Sequence, residues 1–87
     1  MTSIGQLRED VDRLLAGLDE DVFLCLARSD EGLVLEGNRA GLVRLAAIAL
    51  RLATNPAPGS HLHLDAASEL DEADSSLVLG FRQAPWA

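Results

Sequence analysis

The segment Arg39–Thr54, RAGLVRLAAIALRLAT, limits the possible folds more than any other part of the chain. Leu42, Leu45, Ala46, Ala49, Leu52 and Ala53 recur at helical spacing and form a broad apolar stripe. Val43, Ile48 and Leu50 carry that stripe nearly all round, and only Arg39, Arg44 and Arg51 interrupt it. A helix this apolar must be covered on more than one side, so it belongs at the centre of the domain. The pattern predicts a sheet against one side and the first helix, or another subunit, against the other. Asn38 stands where an N-cap is needed. The apolar stretch is too short, and too interrupted by arginine, to span a bilayer.

The flanking segments supply what covers it. Ser3 and Gln6 have the spacing of a capping box, and Ile4, Leu7, Val11, Leu14, Leu15 and Leu18 follow at helical spacing. This predicts an amphipathic helix from Ser3 to Leu18, ended by Gly17 and the acidic run Asp19 to Asp21. VFLCLAR (Val22 to Arg28) and LVLEG (Leu33 to Gly37) read as two strands joined by a turn in which Gly32 takes positive φ. After the helix, NPAPG is a stop-and-turn segment, and SHLHLD is a third strand. Residues 65–75 form a polar, acidic connection with room for one helical turn anchored by Leu70, SLVLGFR is a fourth strand, and QAPWA is a short tail.

Eighty-seven residues suffice for one domain. The expected fold is α+β, of order α-β-β-α-β-β, with one four-stranded sheet and the helices packed on one face. Residues 1–20 form the N-terminal helix, 21–82 a ββαββ unit, and 83–87 the tail. With two Phe, one Trp and no Tyr, the core must be built from Leu, Val, Ile and Ala. Strand alternation turns Leu33, Leu35, Leu62, Leu64, Leu77, Leu79 and Phe81 toward the helices. The opposite, open face then carries Val34, Glu36, His61, His63, Val78, Gly80 and Arg82.

The chemistry-bearing residues are few. His61 and His63, two apart on a strand, can converge on one metal ion, but zinc needs further ligands, and no second His or Cys pair exists. The expectation is therefore no metal and no cofactor, with the pair on a solvent-facing or interface surface. Cys25 lies within an apolar strand, where a thiol is more often a small core side chain than a nucleophile. Ser60 beside His61 makes no triad by adjacency. EGNRAG opens a helix after a strand, the setting for anion binding at a helix N-terminus, yet it lacks a glycine-rich spacing and a Lys. Trp86 reads as an anchor of the tail on the domain surface or as an interface residue. None of this points to an enzyme.

Fourteen acidic residues against seven arginines and no lysine give a net charge of −7. Such a surface repels nucleic-acid phosphates and anionic lipid, and it attracts basic protein. A single cysteine and an N-terminus without an apolar leader fit the cytoplasm.

LVLEGNRAGLVRLAAIALRLA, GSHLHLD and SLVLGF together resemble the immunity protein 32 family, predicted immunity proteins of bacterial polymorphic toxin systems. The likeness runs from Leu33 to Phe81 and leaves the first helix outside it. It implies a non-enzymatic protein that binds and inactivates a toxin stoichiometrically. For such a role the contact residues expected here are His61 and His63 on the open face, with Glu69, Asp71, Glu72 and Asp74 on the acidic connection. A basic toxin fits the charge. The other reading is a small homo-oligomeric structural or regulatory domain, a homodimer for example, that self-associates through the open sheet face.

Overall fold

A computed structural model describes residues 3–54, 59–66 and 70–82. Its elements are helix α1 (Ile4–Gly17), strands β1 (Leu24–Ser29) and β2 (Gly32–Gly37), helix α2 (Arg39–Thr54), and strands β3 (His61–Leu64), β4 (Glu72–Ala73) and β5 (Leu77–Gly80). The class is α+β, as the patterning predicts. The part of the turn NPAPG before Gly59, Glu69 and the tail with Trp86 lie outside the described residues.

α1 begins where Ser3 Oγ accepts a hydrogen bond from the Gln6 amide at 3.0 Å. The Gln6 side-chain amide donates onward along the helix to Asp10 Oδ1 at 3.0 Å. α1 packs on α2. Asp12 lies 3.9 Å from both Arg8 on its own helix and Arg51 on α2. These are long, half-exposed ion pairs of a kind worth about 0–1 kcal/mol. No residue of α1 is fully buried, and Ile4, Leu7 and Leu14 are exposed.

The core lies between α2 and the strands. Leu24 and Leu26 of β1, Ile48 of α2, Leu64 of β3 and Leu70 are buried together. Leu35, Leu45, Ala73, Leu77 and Leu79 pack around them. Leu70 is the anchor that the acidic connection needed.

The sheet differs from the expected one. There are two sheets, a three-stranded one of order β2-β1-β4 and a two-stranded one of β3 and β5. β1 pairs antiparallel with β2, and β4 runs parallel along the other side of β1. The cause is the acidic connection, which the sequence pattern leaves as a loop. The Asp71 amide donates to the Leu24 carbonyl at 2.8 Å, and the Asp74 amide donates to the Leu26 carbonyl at 3.3 Å. With that edge of β1 taken, β3 and β5 pair with each other, His61 opposite Gly80 and Leu64 opposite Leu77.

Facing is also corrected at two leucines. Leu33 is 52% exposed and Leu62 38% exposed, although both share strand parity with core residues. Leu33 lies one residue pair from the β1–β2 turn, at the opposite end of the ladder from Gly37, after which α2 begins. Leu62 sits in the β3–β5 pair, which does not close fully on α2. An open apolar cleft of about 190 Å³, lined by Ala49, Leu52, Ala53, Leu79, Gly80 and Phe81, remains between the two.

Candidate protein-binding surface

The junction EGNRAG is built around the backbone of Phe23. Asn38 Oδ1 accepts hydrogen bonds from the Gly41 amide at 2.8 Å and the Phe23 amide at 3.1 Å. Its Nδ2 donates to the Asp21 carbonyl at 2.6 Å, and its own amide donates to the Phe23 carbonyl at 3.1 Å. The N-cap predicted from sequence is therefore also a latch onto the segment before β1. A β-carbon on Gly37 would lie 2.6 Å from the Phe23 carbonyl oxygen, and one on Gly41 would overlap it. Neither glycine has positive φ. Close approach of backbone requires them, not an unusual turn. The positive end of α2 is occupied from within, since Glu20 Oε1 accepts from the Ala40 amide at 2.7 Å. The motif is spent on folding.

The histidines lie where alternation puts them. His61 and His63 are both exposed on β3, with ring centroids 5.1 Å apart in an edge-to-face arrangement. His61 Nδ1 lies 3.0 Å from the Gly59 carbonyl oxygen. A carbonyl can only accept, so Nδ1 carries the proton and Nε2 points away from that bond. Across the β3–β5 pair His63 is opposite Val78, which is 53% exposed. Among the described residues no three His, Cys, Asp or Glu side chains are grouped so as to hold a metal ion.

The acidic segment divides into two kinds of residue. Asp71 Oδ2 accepts from the Leu24 amide at 2.8 Å, and Asp74 Oδ2 accepts from the Arg28 amide at 3.1 Å. Both carboxylates thus dock β4 onto β1. Ser75 Oγ takes a further hydrogen bond from the Arg28 guanidinium at 3.1 Å. Glu72, between them, is exposed and makes no such bond. A solvated loop does not describe Asp71 or Asp74, and the D-x-x-D spacing on either side of a two-residue strand was the signal available for it.

Cys25 is the second correction. It is half-exposed rather than a core side chain, because β1 buries Leu24 and Leu26 and turns Cys25 and Ala27 the other way. An open depression of about 310 Å³ lies there, lined by Cys25, Leu26, Ala27, Glu72, Ala73 and Asp74.

A family model described as immunity protein 32 matches residues 32–82, more than half of the chain. The chain belongs to the immunity protein 32 family. The resemblance read from EGN, H-x-H-L-D and the last apolar strand is thereby confirmed, with boundaries one residue wider at each end. The match takes in β2, α2, β3, β4 and β5 and leaves α1 and β1 outside. No curated protein and no solved structure matches the chain. In this immunity protein 32 family member the EGNRAG junction is taken up by contacts within the chain. No helix among the described residues is long and apolar enough to cross a membrane.

Proposed function

We propose that this protein neutralises a cognate bacterial toxin by stoichiometric, non-enzymatic binding in the cytoplasm of the cell that makes it. Membership of the immunity protein 32 family is the observation that carries this reading. The physical chemistry agrees with it. A net charge of −7 speeds encounter with a basic partner and discriminates against acidic ones. The side chains that fit the contact are outward and exposed: His61 and His63 on β3, and Glu72 on β4. Asp71 and Asp74 contribute indirectly, by holding β4 and with it Glu72 in place. Glu69, the remaining acidic candidate, lies outside the described residues.

The test is co-expression with the toxin encoded beside this gene. Growth restored by the wild-type protein supports the reading. Undiminished toxicity at matched expression overturns it.

A further inference from the structure

The outward face of the β2-β1-β4 sheet carries a charge arrangement that neither the family nor the sequence pattern assigns. In the antiparallel ladder Cys25 is opposite Glu36, and in the parallel ladder it is opposite Glu72. The three side chains therefore form one row across the sheet, on the side away from buried Leu24 and Leu26. Neighbouring strands are about 4.8 Å apart, so the two glutamates stand roughly 10 Å from each other with only a thiol between them. Both are exposed, and neither carboxylate has a hydrogen bond or ion pair among the described residues. Asp10, Asp12, Glu20, Asp71 and Asp74 each engage a donor or a cation within the chain.

Among the described residues nothing on this face neutralises the pair. Ala27 and Val34 make the next row of the ladder. The arginines lie elsewhere: Arg8 and Arg13 on α1, Arg39, Arg44 and Arg51 on α2, Arg82 after β5. Arg28 shares the parity of Leu24 and Leu26, and its guanidinium reaches Ser75. Small side chains at Cys25 and Ala27 leave the depression beside Glu72 open. Two unneutralised carboxylates flanking a small-residue floor match a long cationic side chain. A guanidinium laid over Cys25 reaches both carboxylates, and its alkyl stem lies along the apolar floor.

We propose that this sheet face, centred on Cys25 between Glu36 and Glu72, is where the cognate toxin docks, inserting an arginine or lysine between the two glutamates. The proposal rests on the toxin-neutralising reading and adds the surface and the chemistry of the contact. It also gives Cys25 a place at the interface without a chemical role, as the small residue that leaves room for the partner's cation.

Because Cys25 is the only cysteine, it can report on this directly. The experiment labels the full-length protein with iodoacetamide, alone and with the toxin from the adjacent gene, and measures toxin affinity for E36Q/E72Q and for a control, E9Q/E31Q. The expected result is labelling of Cys25 slowed about tenfold or more by the toxin. E36Q/E72Q should bind at least about tenfold more weakly, chiefly through faster dissociation, with its melting transition unchanged. The control should stay within about threefold of wild type. If the toxin binds wild type but neither protects Cys25 nor distinguishes E36Q/E72Q from the control, the docking face is wrong and the toxin-neutralising reading stands. If the wild-type protein neither binds nor restrains the toxin, both fall together.

Discussion

The α-carbon of Gly41 passes so close to Phe23 that a β-carbon there would overlap the Phe23 carbonyl oxygen. One contact thus ties the start of the central helix to the segment that enters β1, and Asn38 secures it with hydrogen bonds to the same residue. The whole EGNRAG junction follows from this approach.

Gly41→Ala should therefore cost at least ~2 kcal/mol, since backbone on both sides must move to admit one methyl group. Gly17→Ala is the control. It has open space around the added β-carbon, lies at the end of α1, and should be neutral or slightly stabilising. Urea melts of the two variants decide it. Equal stabilities would show that the junction yields easily.

Asp71 and Glu72 are neighbours with opposite expected phenotypes. Asp71→Ala leaves the amide of fully buried Leu24 without its acceptor and should destabilise by about 1–3 kcal/mol. Glu72→Ala should change stability by less than about 0.5 kcal/mol, as an exposed side chain without partners. Thermal melts read the first effect. A stable Asp71→Ala variant would mean that β4 is held by its backbone alone.

α1 should open before the rest of the molecule. It buries no residue completely and is joined to α2 partly through the long Asp12–Arg51 pair, whereas α2 buries Ala40, Ala47 and Ile48. Amide exchange in Val11–Leu15 should be markedly faster than in Leu45–Ala49. Equal protection in the two helices would show that they unfold as one unit.

Both helices were legible in the sequence because each has a long apolar period and a polar cap. Arg39–Thr54 has the bounds read from sequence, but it buries Ala40, Gly41, Ala47 and Ile48 while Leu42, Ala46, Ala49 and Ala53 of the expected stripe are exposed. Ser3–Leu18 differs by one residue at each end. The shared, exposed placement of His61 and His63 on β3 followed from alternation alone. The two-sheet arrangement was not legible. β4 is two residues long, too short for any period, and it exists because Asp71 and Asp74 bond to residues of β1 far away in sequence. For the same reason those two carboxylates looked like loop charges. The row Glu36–Cys25–Glu72 requires that pairing, so the candidate surface was only half visible.

Charge should govern how fast the toxin arrives. Association of the pair should slow markedly between low and 0.5 M salt, because exposed charges separated by more than roughly 10 Å are screened at 0.1 M. Dissociation should respond much less. Stopped-flow association at several ionic strengths measures both, and a salt-independent association rate would rule out electrostatic recognition.

Titration of the purified toxin with this protein, following toxin activity and complex mass together, bears most directly on stoichiometric neutralisation. Activity should fall linearly to zero at one equivalent, with a complex of one copy of each chain in light scattering. Loss of toxin activity at well below one equivalent, with the toxin altered and no lasting complex, would mean that the protein acts as a catalyst and is no stoichiometric inhibitor.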